Sequence, residues 1–207
     1  PEESVLVVAS KIVALAESRT VESADSRHFD ALVRKESALA KKTKHAWLTV
    51  KDGMTMANAG IDASNADGKL VLLPKDSNAS AAKLRAALRR RYKIKKLGVI
   101  ISDSHIAPLR AGVTAHALGY AGIQGVRDYR GKKDLFGREM KISRTNIADS
   151  VATAAALLMG EGAEQRPLAL ITGAPVTFSD KINRAETRIS IFEDIYGPLL
   201  GQIRKKP

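Results

Sequence analysis

Residues 45–60, "HAWLTVKDGMTMANAG", decide the fold class. Two runs rich in Thr, Val, Trp and Met flank Lys51-Asp52-Gly53. Asp-Gly between β-rich runs favours a tight two-residue turn, because both central positions must take positive φ. A hairpin of this kind argues against a sheet built only of alternating parallel strands and helices, and so for a mixed α and β class. The hairpin leads straight into "ANAGIDASN" (57–65), where small residues surround one acid, Asp62, and two amides, Asn58 and Asn65. Such loops form tight turns, and they also present carboxylates to metals and backbone N–H groups to phosphates.

Outward from the hairpin the periodicity changes element by element. "SVLVVASKIVAL" (4–15) begins as a buried strand and turns polar at Ser10-Lys11. The stretch 23–43 reads as a helix capped by Asp25 or Ser26, with Phe29, Leu32, Val33, Ser37 and Leu39 at roughly helical spacing. "GKLVLLP" (68–74) and "LGVIISDS" (97–104) read as strands, and 78–92 as a helix with an Asn or Ser cap. The small apolar run 111–122 fits either strand or helix. Residues 129–146 read as a basic loop followed by a strand pair, and 146–162 as an Ala-rich helix running into a glycine loop. A strand over 166–173 and a terminal helix over 185–203, interrupted at Gly197-Pro198, complete the pattern.

Composition narrows the chemistry. The 207 residues contain no cysteine, which excludes disulfides, zinc–thiolate sites and thiol nucleophiles. The four histidines, His28, His45, His105 and His116, lack metal-ligand spacing. The apolar run near the start is too short and too interrupted for a membrane span or a signal peptide, so a cytoplasmic protein is expected. Net charge is +12, from 34 Lys and Arg against 22 Asp and Glu, and such a surplus attracts polyanions. Its densest clusters are "LRAALRRRYKIKK" (84–96), "KKTK" (41–44) and "RKK" (204–206). Only Tyr92 interleaves the first of these, so no stacking platform for single-stranded nucleic acid is visible, and nucleic acid is not the expected partner.

Three polar loops follow apolar segments: Asp62–Asn65, Ser102–His105 and Gly160–Glu164. A strand ending in Asp-Ser suits a hard divalent cation, which takes carboxylate, hydroxyl and phosphate oxygens. Each loop alone is weak, since an Asp at a strand end also forms turns and caps helices. Neither Gly-rich phosphate-binding signature is present, and "MGEG" alone reads as a glycine C-cap.

Taken together and in this order, "NAGIDASN" (58–65), "GVIISDS" (98–104) and "KKDLFGRE…IADSVATAAALLMGEG" (132–162) resemble the coenzyme F420-0:L-glutamate ligase (CofE-type) family. The likeness runs from Val5 to about Ala174. It implies an α+β fold with mixed sheets, hairpins and packed helices, as one ligase unit over residues 1–207 that is open to division into two subdomains. The implied activity is a γ-glutamyl ligase: GTP activates the carboxylate of a coenzyme F420-0-like or folate-like acceptor as an acyl phosphate, and L-glutamate then forms an amide. Two divalent ions, Mg²⁺ or Mn²⁺, and a homodimer are implied with it.

Carried across residue by residue, Asp62 and Asp103 resemble shared ligands of one metal and the residues central to catalysis. Ser104, where the family usually has Thr, and Glu161 resemble ligands of the second metal. Ser10, Lys11 and Asn65 resemble nucleotide contacts, and so does the loop of Met159, Gly160, Gly162 and Ala163. Three departures stand out. The family has a further N-terminal segment, so a divergent, N-terminally shortened member is expected; Leu15 replaces an expected Lys; and His105-Ile106-Ala107 replaces Gly-Arg after the second loop. The competing expectation is a non-catalytic relative that binds an anionic ligand or nucleic acid. Retention of Asp62, Asp103 and Glu161 favours the ligase, since a pure anion binder gains nothing from carboxylates facing phosphates.

Overall fold

The computed structural model describes residues 1–22, 25–181 and 183–201. In chain order the first elements are β1 (Ser4–Ala9), α1 (Ser10–Ala16), β2 (Thr20–Glu22), α2 (Ser26–Glu36), β3 (Leu39–Lys42), β4 (Trp47–Lys51) and β5 (Met54–Ala57). They are followed by β6 (Lys69–Val71), α3 (Ser77–Tyr92), β7 (Leu97–His105), β8 (Thr114–Ala121) and β9 (Val126–Asp128). The last are β10 (Arg144–Asn146), α4 (Ile147–Met159), β11 (Leu168–Thr172) and α5 (Gly197–Leu200). Helices and mixed sheets together make the α+β class expected from the hairpin. Among the described residues no helix is long and apolar enough to cross a membrane.

The chain divides into two compact units. The first comprises Pro1–Ala9, Asp76–Ser102 and Ala115–Thr187. Its sheet has the order β11-β1-β7-β8, with β1 parallel to β7 and antiparallel to β11. The uninterrupted Val, Leu and Ile runs of β1 and β7 are explained by burial on both faces: on β1 Val5 and Val7 are buried on one face and Val8 on the other, and on β7 Val99 and Ile101 on one face and Ile100 on the other. Helix α4 packs Ala148, Val151, Ala152, Ala155 and Met159 into the same core, a stripe at helical spacing. Helix α3 begins at Ser77 and is capped by the Asp76 carboxylate, which accepts from Ala79 N–H at 2.9 Å, rather than by the expected Asn or Ser. Its first turn lies against β8, where a Cβ on Gly119 would fall 2.4 Å from Asn78 N; the close approach requires glycine.

The basic cluster of α3 is partly committed to this fold. Arg85 donates to Leu97 O at 2.6 Å and pairs with Asp180 at 2.7 Å, and Arg89 reaches Asp180 at 3.1 Å. Strands β9 and β10 pair with each other across the basic loop 129–143, so they flank that loop rather than follow it. The ambiguous run 111–122 supplies β8.

The second unit comprises Ser10–Lys75, Asp103–Thr114 and the described part of Arg188–Pro207. Its three-stranded sheet β3-β4-β5 contains the expected hairpin, with Lys51 opposite Met54 and positive φ at both Asp52 (50°) and Gly53 (75°). Strand β2 pairs antiparallel with β6. Val33, Trp47, Ala59, Ile61, Leu70 and Leu72 form its core, and the Trp47 indole N–H donates to Asp30 at 2.7 Å.

Three further local expectations change. The helix expected over 23–43 ends at Glu36, because Leu39–Lys42 finds a ladder partner in β4, and pairing outweighs a weak helical preference; Ser23 and Ala24 lie outside the described residues. The polar tail of the first run becomes α1 at Ser10. The terminal helix shrinks to Gly197–Leu200. Upstream, the Ser190 hydroxyl accepts from Phe192 N–H and the Asp194 carboxylate from Tyr196 N–H, so local turns take the donors a helix would need. Residues 202–203 and the cluster 204–206 lie outside the described residues.

Candidate functional site

The site in the second unit begins with the hairpin. Thr49 on β4 is fully buried; its hydroxyl donates to Met56 O at 2.7 Å and accepts from Ala59 N–H at 2.9 Å. The Asn58 side chain accepts from Trp47 N–H at 2.9 Å. These bonds hold Asn58, Ala59 and Gly60 in the left-handed region, with φ of 53°, 56° and 70°. Left-handed backbone costs a non-glycine residue about 1–2 kcal/mol, so the turn persists only because its surroundings fix it. At Gly60 a Cβ would lie 2.5 Å from Leu73 Cγ. The turn then delivers Asp62 to a reciprocal bridge with Val71, N–H to O at 3.0 Å and O to N–H at 2.8 Å.

With its backbone fixed, the Asp62 carboxylate accepts from Ser64 N–H at 2.7 Å, Ser64 Oγ at 3.0 Å and Lys11 Nζ at 2.6 Å. Lys11 also donates to Ser64 O at 2.7 Å. Partial burial pushes the Asp62 pKa up, but the Lys11 ammonium and the Ser64 donors outweigh it and hold the carboxyl below its usual value. The neighbouring residue in α1, buried Ser10, donates its hydroxyl to Asp103 Oδ1 at 2.9 Å. Asp103 stands near the end of β7, where the strand changes from buried to partly exposed. Successive residues of one helical turn thus hold two of the three carboxylates that the sequence singled out.

Of the residues singled out, the structure joins Ser10 to Asp103 and Lys11 to Asp62 by direct bonds. Ser104 follows on β7 and is exposed, and Asn65 is exposed at φ 46° in the Asp62 loop. Glu161, Gly162 and Ala163 are exposed in the first unit, on the loop after α4. Gly160 is the C-cap of that helix, at φ 79°. Gly162 N–H donates to the Glu164 carboxylate at 2.8 Å, a bond within the loop. Met159 is a core residue of α4.

Ser64, Thr49 and Val71 were not singled out from sequence. The Asp-x-Ser spacing does carry a signal for Ser64, since an Asp side chain commonly accepts from the N–H two residues on. Around Asp62 and Asp103 the unit offers carboxylates and the hydroxyls of Ser10, Ser64 and Ser104. These are hard oxygen donors that suit Mg²⁺ or Mn²⁺ chemically. Among the described residues, no group of three or more His, Cys, Asp or Glu side chains is gathered as a ready-made metal cage.

A sequence profile of the F420-0:gamma-glutamyl ligase family matches residues 2–173. The chain belongs to this family. Three relatives within the family illustrate the likeness, each a coenzyme F420:L-glutamate ligase. The protein of Methanococcus maripaludis strain S2 is 42% identical over 130 residues, covering 63% of this chain and 52% of the relative. That of Methanocaldococcus jannaschii is 38% identical over 157 residues, covering 75% and 63%. That of Methanosarcina acetivorans is 32% identical over 203 residues, covering 89% and 80%. The chain thus spans about half the length of the Methanococcus maripaludis relatives it matches.

Proposed function

We propose that this chain is an amide-bond-forming ligase that joins L-glutamate, through a γ-glutamyl bond, to the carboxylate of a coenzyme F420-0-like or folate-like acceptor. The single observation that supports it best is the tethering of Asp62 and Asp103 to adjacent residues, Lys11 and Ser10. An amide cannot form from a free carboxylate without activation, because the carboxylate is a poor electrophile. In this reading the acceptor carboxylate attacks the γ-phosphate of GTP and displaces GDP. The amine of glutamate then attacks the acyl phosphate, releasing phosphate and a proton.

Asp62 and Asp103 would hold one divalent ion, Mg²⁺ or Mn²⁺, and Ser104 a second. Glu161 and the loop of Gly160, Gly162 and Ala163 take their roles, second-ion ligand and nucleotide contact, from the family resemblance alone, whereas Met159 is packed in the core of α4. When bound, such ions offset charge on the phosphates during transfer. The chain's own part is positioning: the Val71 bridge fixes the backbone of Asp62, and the Ser10 hydroxyl fixes the rotamer of Asp103. Lys11 and Asn65 supply polar contacts suited to nucleotide oxygens. A homodimer is part of the same proposal.

The test is incorporation of radiolabelled glutamate with GTP or ATP, Mn²⁺, and a panel of F420-0, dihydropteroate and tetrahydrofolate. The expected result is incorporation with one acceptor, abolished by Asp62→Asn or Asp103→Asn in chains that remain folded. Full activity in either variant, or no incorporation with any acceptor alongside salt-sensitive nucleic-acid binding, refutes the proposal.

A further inference from the structure

Lys11 occupies an unusual place for a residue expected to contact a nucleotide. Its ammonium lies 2.6 Å from Asp62 Oδ2 and donates to Ser64 O at 2.7 Å, with Ser64 Oγ at 3.2 Å. Ser64 in turn grips the same carboxylate through its N–H and hydroxyl. Asp62 is therefore already neutralised and almost fully coordinated by groups of its own unit. The Lys11 side chain is 24% exposed and that of Asp62 45%, so the pair is reachable from solvent without being dissolved in it.

A divalent ion and an ammonium in contact with the same carboxylate repel each other, so each weakens the other's hold on it. We infer that Lys11 is a resident counter-ion that competes with the divalent cation for Asp62: the cation gains its full hold only as Lys11 leaves the carboxylate. This rests on the reading of Asp62 as a metal ligand. Two consequences follow from the geometry. Before the cation arrives, the ammonium keeps the 62–65 loop assembled and keeps a lone carboxylate from repelling an incoming nucleotide. Once released, Lys11 still stands on α1, beside Ser10, as a free positive charge suited to a phosphate oxygen. Cation and phosphate would then favour each other's binding through one side chain, and the coupling must be reciprocal. Lys11 acts here as a positioning residue.

The sign of one measurement separates this role from a merely structural one. If Lys11 only supported the loop, its removal would weaken cation binding; if it competes, its removal strengthens binding. Mn²⁺ affinity is to be measured on the full chain, without nucleotide, by electron paramagnetic resonance of free Mn²⁺. Lys11→Met should bind Mn²⁺ about tenfold more tightly than the parent, within the range usual for site coupling. The gain should survive in about 1 M KCl, where the screening length is about 3 Å and the removal of a distant charge would have no effect. Lys44→Met controls for net charge, and Lys11→Arg should keep the weaker affinity.

A measurement on the unmutated chain guards against misfolding of the variant. Titration with Mg²⁺ should shift the Lys11 ¹⁵Nζ resonance in step with occupancy. Equal or weaker Mn²⁺ binding by a folded Lys11→Met, or an unmoved Lys11 resonance at saturating Mg²⁺, overturns the inference. Asp62→Asn distinguishes the two levels. If it abolishes Mn²⁺ binding while Lys11→Met leaves the affinity unchanged, the metal reading stands and the competition fails. If no variant binds Mn²⁺, both fail.

Discussion

Thr49→Val is the substitution that best tests how the fold builds the Asp62 loop. Valine matches threonine in shape, so packing is retained, and only the hydroxyl is lost. That hydroxyl is fully buried and joins two bonds, one from Ala59 N–H and one to Met56 O. Ala59 is itself fully buried, so its N–H would lose its acceptor where water cannot replace it. An unsatisfied buried donor costs about 1–3 kcal/mol, and loss of the Met56 bond adds about 0.5–1.5 kcal/mol. The expected loss is about 1.5–4.5 kcal/mol for the second unit. Trp47, the only tryptophan, belongs to that unit's core, so urea unfolding followed by its fluorescence reports the relevant transition. Thr49→Ser keeps both bonds and should lose only a methyl group, about 1 kcal/mol. Since Ala59 precedes Asp62 by one turn, Thr49→Val should also weaken Mn²⁺ binding if Asp62 is a ligand. A Thr49→Val chain within about 0.5 kcal/mol of the parent would refute the argument, as would a Thr49→Ser chain less stable than Thr49→Val.

Two further outcomes follow from the same loop. Gly60→Ala adds a Cβ 2.5 Å from Leu73 Cγ at φ 70°, whereas Gly68→Ala adds one at φ 76° with nothing within 4 Å. The first should cost about 2–4 kcal/mol and the second only the backbone penalty of about 1 kcal/mol, by thermal or urea unfolding; equal losses would deny the steric contact. The lowered pKa of Asp62 makes its ionised form part of the folded state. Its contribution is present above the unfolded carboxyl pKa of about 4 and is lost as pH falls through the lower folded value. Stability measured from pH 6 downward should therefore fall less steeply below pH 4 in Asp62→Asn than in the parent. Identical slopes would show that the Lys11 and Ser64 contacts do not favour the charged form.

Much of the fold was readable because its signals are local. Asp52-Gly53 can hardly be anything but a tight turn, and the apolar runs 4–9 and 97–102 fit strands buried on both faces. The Ala-rich stretch before Gly160 ends where a glycine C-cap predicts. Where local preference was weak, distant partners decided. Leu39–Lys42 carries two lysines and no β-branched residue, yet it is a strand because β4 lies beside it. Residues 185–196 have helical spacing but leave Phe192 and Ile195 almost wholly exposed, so no buried face rewards a helix there.

The sequence by itself determined the residue types in three loops whose order resembles one ligase family: oxygen-bearing side chains and no cysteine. Charge and composition also set the expectation of anionic partners. Only the tertiary structure decided who holds whom. Asp62 and Asp103 are 41 positions apart, and the residues that tether them, Lys11 and Ser10, are neighbours far upstream. Sequence patterns report contacts over a turn of helix or a step of strand, because those spacings are fixed by backbone geometry. A lysine laid on a carboxylate 51 residues away leaves no such period, and it exists only once the hairpin, the left-handed turn and the Val71 bridge have brought the loop to α1.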